Sequence, residues 1–183
     1  CGVDRSGIAV QLAVAWGLRV LPGTSRDVAG LFEETRFDVI TLSHVLEHVP
    51  SPLDCLRDLS KVLAGNGRIV IAVPNSSYWA GRILKQHWHS TDVPRHVQQF
   101  TLESIHALAS RAGFLIERRF TYSLPKGVGS SIRQALRRKL AIPGRFTSRL
   151  GLIDRFGEKI LGPWLDRQAK GEAIIAWLRR EGV

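Results

Sequence analysis

A chain of 183 residues is long enough for one domain with a real core, and 44% hydrophobic residues exclude a disordered chain. No apolar run approaches the ~20 residues that cross a bilayer, and the opening Cys-Gly-Val-Asp lacks the basic and apolar regions of a signal peptide. The formal charge of +10 is uneven: residues 118–159 carry eleven Lys and Arg against two acids, a net +9, which marks a basic appendage on a near-neutral domain.

Two cysteines, Cys1 and Cys55, lack metal-type spacing and point to a reducing cytoplasm, with Cys55 as a small core residue. In chain order, Gly2 to Asp4 reads as the tail of a short buried strand. Ser6 caps a helix to about Trp16, with Ile8, Leu12 and Ala15 on one face and Gly17 at its end. A strand over 18–21 closes at Pro22-Gly23. Phe37 to Leu42, rich in β-branched residues, predicts a further strand. Ser51 and Pro52 open a helix with Leu53, Leu56, Leu59 and Leu63 at helical spacing. Gly65-Asn66-Gly67 then reads as a turn before an apolar strand from Arg68 to Val73.

Residues 75–100 are irregular and dense in aromatics and histidines. Thr101 and Glu103 start a helix ended by Gly113, and Phe114 to Tyr122 predicts a strand. Two basic helices follow, at about 130–142 and 148–161, then a last strand over 172–178. Strand and helix in alternation predict an α/β fold, a Rossmann-like, doubly wound and mostly parallel sheet.

The chemistry-bearing signals come in a set order. A strand ends in Asp4; a loop holds Gly23-Thr24-Ser25; then come Phe-Asp-Val-Ile-Thr-Leu-Ser-His-Val-Leu-Glu-His-Val-Pro (37–50) and Leu-Ala-Gly-Asn-Gly-Arg-Ile-Val-Ile-Ala-Val-Pro-Asn (63–75). With Asp-Val-Pro-Arg-His-Val-Gln-Gln-Phe-Thr (92–101) and Ala-Gly-Phe (112–114), this resembles the class I S-adenosylmethionine-dependent methyltransferases, most closely the branch with the ubiquinone-biosynthesis O-methyltransferases. The resemblance spans roughly 2–122 and the final strand. It implies an antiparallel last strand, S-adenosylmethionine as cofactor, and methyl transfer to a small-molecule acceptor, with oxygen as the receiving atom.

An acid at the carboxyl end of a strand can accept both ribose hydroxyls of a nucleoside, which is the role expected of Asp4; an acid at a helix amino end is the plainer alternative. Arg5 and Ser6 flank the adenosine. Thr24 and Ser25 stand where the family places a polar group against adenine, with Asp27 further on, and Leu42, Ser43 and His44 bring backbone to the methionine part. His44, Glu47 and His48, at i, i+3, i+4, share one face of a helical turn and suit a general base or a weak divalent-metal site; the plainer alternative is a structural turn with His48 and Glu47 bonded to nearby backbone. Some quinone-pathway relatives hold a metal on this turn, but His44 replaces their first acidic ligand, so no metal ligand is assigned. Trp79, His87, Trp88, His89, Arg95 and His96 fall where the family covers its acceptor; His96 is the first candidate for a base, with His48 and His44 beside it.

The resemblance places a first strand and Gly-rich loop just before Cys1. With no methionine in the chain, a fragment cut inside the domain is expected, one that binds cofactor poorly while the parent gene product binds it. The expected organisation is a partial core over 1–123, a basic amphipathic helical insertion over 124–165, and the last strand with its tail over 166–183. The insertion suits a lid, a dimer contact or an anionic membrane surface, giving a cytoplasmic protein peripheral to a membrane; no nucleic-acid module accompanies its charge. Lys126 to Ser131 lacks the spacing of a phosphate loop. Two rival functions stay open here: a nicotinamide-dinucleotide oxidoreductase-type domain with Asp4 on the ribose, and a degenerate interaction module.

Overall fold

Local chemistry sets each element of the computed structural model, which describes residues 1–79, 92, 94–123, 162–168 and 170–182. Strand β1 (Gly2–Asp4) leads to α1 (Gly7–Ala15), where the Ser6 hydroxyl accepts from the Ala9 N–H at 3.4 Å and satisfies a free amide of the first turn. Gly17 follows with φ +79°, the left-handed geometry that stops a helix. Strand β2 (Val20–Pro22) pairs in parallel with β1, two residues later than its sequence pattern suggests. The short helix α2 (Val28–Leu31) was not legible, because four residues carry no periodicity.

Strand β3 (Phe37–Ser43) ends in a 3-10 turn, Leu46–His48, and Pro52 begins α3 (Pro52–Ser60), which buries Cys55, Leu56 and Leu59. Strand β4 (Leu63–Pro74) starts five residues earlier than expected. Leu63 belongs to it, not to the helix, and 65–67 lies within the strand as a register irregularity against β3. The helix α4 (Leu102–Arg111) has a reciprocal cap between Thr101 and Ser104, and Gly113 follows at φ +81°. Strand β5 (Phe114–Tyr122) has its expected bounds; α5 (Gly162–Arg167) and β6 (Ala173–Arg180) complete the described elements.

The strands form two sheets. One holds β1 and β2; the other has the order β3-β4-β6-β5, with β3 parallel to β4 and β6 antiparallel to both neighbours, as expected for the last strand. One core of Leu42, Leu46, Leu56, Leu63, Ile69, Ile71, Ile105, Phe114, Ile174 and Leu178, with Val28 and Phe32 beside it, sits on the larger sheet. Helix α1 is different: Ile8, Leu12 and Trp16 are 73%, 55% and 80% exposed, so its apolar side covers no described core. Among the described residues, β1 and β3 each have one strand edge without a ladder partner, and both line one cavity.

No helix among the described residues is long and apolar enough to cross a membrane. His87, Trp88, His89, Lys126 to Ser131 and the two expected basic helices lie outside the described residues.

Candidate functional site

The carboxyl ends of parallel strands are where an open α/β sheet leaves a crevice. Here a cavity of about 870 Å³ runs between β1 and β3, lined from Gly2 and Phe37 along the strands to Asp4 and His44 at their carboxyl ends. Asp4, Arg5, Thr24, Ser25, Leu42 and His44 all line it, and so do His48 and Arg95. Four separate stretches of the sequence thus meet at one place. Ser6, Ser43 and His96 do not line it.

Asp4 sits at the last position of β1 and is exposed. Its Oδ1 accepts the Ser6 N–H at 2.7 Å, so the carboxylate orders the start of α1 and keeps acceptor capacity for a ligand. Of the two roles considered for it, the helix amino-end one is realised in this bond. Ser6 works as the helix cap.

The Gly23–Asp27 loop is self-bonded. Asp27 Oδ2 accepts both the Thr24 N–H (2.8 Å) and the Thr24 hydroxyl (2.9 Å). These bonds, the backbone one first, hold the Asp27 carboxyl below the usual carboxylate range. Thr24 therefore spends its donors on Asp27. Ser25 lies beside Cys55, whose thiol is pushed up chiefly by burial. Cys55 is 3% exposed, as its sequence position suggests, and it also lines the cavity.

At the end of β3, His44 has φ +51°, the left-handed region, although it is not glycine. Such a residue costs about 1–3 kcal/mol and persists where its surroundings over-determine it. Its N–H donates to Ala72 O at 2.9 Å, extending the β3–β4 ladder. The expected sharing of one face is realised for His44 and Glu47, whose Nδ1 and Oε1 lie 3.1 Å apart. His48 turns elsewhere: its Nδ1 is 2.9 Å from the Arg95 carbonyl, and its ring meets His96 edge-on with centroids 4.8 Å apart. Glu47, His48 and His96 bring one ligand-type atom each within 4.8 Å of one another. The 94–100 segment is fastened to the turn, with Val97 and Gln98 N–H groups donating to Glu47 O at 2.9 and 3.1 Å. His96 lines a separate, smaller pocket with Glu47, Pro74 and Phe100.

Sequence reasoning did not foresee that Glu47 is buried, 1% exposed. It also missed Asn75, fully buried, whose Nδ2 donates to Gly171 O at 2.8 Å and ties β4 to the start of β6.

A family model described as a methyltransferase domain matches residues 1–118. Among solved structures, a SAM-dependent methyltransferase from Thermotoga maritima, described as a possible histamine N-methyltransferase, superposes with a TM-score of 0.63 at 14% identity, over 98% of this chain and 72% of that one. A SAM-dependent methyltransferase from Archaeoglobus fulgidus gives 0.58 at 14%, over 98% and 75%. The plantazolicin methyltransferase BamL, in complex with a triazolic desmethylPZN analog and SAH, gives 0.57 at 15%, over 98% and 66%. No curated protein sequence matches the chain.

Proposed function

Because this chain belongs to the methyltransferase-domain family, matched over residues 1–118, and is a methyltransferase using S-adenosylmethionine, we propose that it methylates a hydroxyl group of a small-molecule acceptor. The family membership argues against the dinucleotide oxidoreductase alternative. The observation that carries the proposal is the convergence of Asp4, the Thr24–Ser25 loop and the Leu42–His44 strand end on one cavity.

The residues fit the cofactor. Asp4 offers a carboxylate at the rim for the ribose hydroxyls, Leu42 offers an apolar wall, Arg5 flanks the opening, and the Thr24–Ser25 loop lines the side expected to face the base. S-adenosylmethionine supplies a methyl group on a sulfonium: the acceptor oxygen forms the new C–O bond as the C–S bond breaks onto sulfur. The chain contributes alignment of the two reactants, which governs such in-line displacements. It also contributes a base, since a hydroxyl must lose its proton. His44 takes that role in preference to His96, because His44 lines the cavity and His96 does not.

The test is label transfer from methyl-labelled S-adenosylmethionine, using the natural gene product that carries this sequence and a panel of phenols, catechols and primary amines. Label in the phenols or catechols is expected. Label in the amines alone would overturn hydroxyl methylation.

A further inference from the structure

Glu47 carries a buried carboxylate in a three-residue turn at the edge of the cavity. Burying a carboxylate is costly unless something holds it. Its Oε1 lies 3.1 Å from His44 Nδ1, and among the described residues its Oε2 has no hydrogen-bond partner. The backbone of Glu47 is fixed from the other side by Val97 and Gln98. Three residues earlier, His44 adopts its left-handed backbone. Two unfavourable features thus occur at i and i+3 and meet in one contact. That contact is not core packing: the His44 side chain is 44% exposed.

We propose that Glu47 is a positioning residue for His44. Its carboxylate accepts the Nδ1–H, which fixes the imidazole as the Nδ1–H tautomer and leaves the Nε2 lone pair for the acceptor hydroxyl. The hydroxyl proton moves to Nε2 as the oxygen takes the methyl group. The resulting imidazolium lies against the Glu47 carboxylate and then releases the proton to solvent on its exposed side. This rests on the hydroxyl-methylation reading above. His48 does not fill the role, because its Nδ1 is committed to a neutral carbonyl and its ring to His96.

The experiment has two arms. Long-range ¹H–¹⁵N spectra of the imidazoles of the 183-residue chain, at a pH well above the ordinary histidine range, read the tautomer directly. His44 is expected as Nδ1–H in the wild type, as a tautomer mixture in Glu47→Leu, and as Nδ1–H again in Glu47→Gln, whose amide oxygen still accepts. A wild-type Nε2–H signal, or an unchanged one in Glu47→Leu, overturns the proposal. Where Glu47→Leu does not fold, His44 in Glu47→Gln and wild type decides alone: Nε2–H in both refutes it.

The second arm is kinetic, in the natural gene product with a labelled phenol from the panel. His44→Gln is expected to lower kcat by about 10²- to 10⁴-fold, the usual contribution of a general base. Glu47→Leu is expected to lower kcat in the same direction at unchanged KM for S-adenosylmethionine. Wild-type kcat in Glu47→Leu overturns the positioning role. Label in amines alone defeats the hydroxyl reading and leaves the tautomer result to be judged separately.

Discussion

Gly67 lies where β4 irregularly meets β3, between the pairs Phe37↔Leu63 and Val39↔Arg68. A Cβ built there would stand 2.8 Å from the Phe37 carbonyl oxygen and 2.8 Å from Leu63 Cδ1. The Leu63 side chain can move a little, but the carbonyl belongs to the ladder that carries Val39 to Ser43 and hence the Leu42–His44 rim. Its φ is outside the left-handed region, so the cost of Gly67→Ala is steric. Overpacking of this kind costs about 1–3 kcal/mol. In a chain of this size that corresponds to a fall in Tm of about 2–12 °C. Gly65→Ala is the matched control: nothing lies within 4 Å of its Cβ position, and the loss of unfolded-state freedom predicts a gain of about 0.4–1 kcal/mol. Thermal melts followed by circular dichroism compare the two. Equal Tm values for Gly67→Ala and wild type would refute the steric reasoning and the register it rests on.

Leu46 is fully buried under the turn that carries Glu47, and Leu46→Ala is expected to lower unfolding free energy by about 2–5 kcal/mol in urea titrations. Asp27, held ionised mainly by Thr24 N–H, has a lowered folded-state pKa; its contribution is therefore present above the ordinary carboxylate range and is lost as pH falls through the folded value. Asp27→Asn should accordingly flatten the acid limb of the stability–pH curve, and an unchanged limb would count against the loop geometry. In thiol titration of the folded chain, Cys1 is expected to react promptly and buried Cys55 only after denaturant is added. From charge alone, the net +9 of residues 118–159 predicts sedimentation with anionic vesicles at low salt and release at high salt; failure to sediment at low salt removes the membrane surface as a partner.

Elements with strong local chemistry were legible in the sequence. Thr101, Gly113 and the run from Phe114 to Tyr122 mark α4 and β5 almost residue for residue, because caps and left-handed glycines are written in residue identity. The start of β4 was not legible. Gly65-Asn66-Gly67 has turn composition, and only pairing with Phe37 and Val39 makes it strand. At the site, Asp4, Thr24 and Leu42 could be placed by their position at strand ends. Local spacing could not order the histidines: His96 comes first as a base candidate from the sequence, whereas in the fold His44 and His48 line the cavity and His96 lines the smaller pocket.

The central claim is that the carboxylate of Asp4 grips an adenosyl ligand at the rim. Asp4→Asn tests it with little disturbance, since the amide oxygen still accepts the Ser6 N–H that Asp4 bonds at 2.7 Å. Calorimetric titration of the natural gene product with S-adenosylhomocysteine should show binding weakened by about 10- to 150-fold, the loss of one charge-assisted hydrogen bond of about 1.5–3 kcal/mol. Equal affinity in Asp4→Asn and wild type would contradict it.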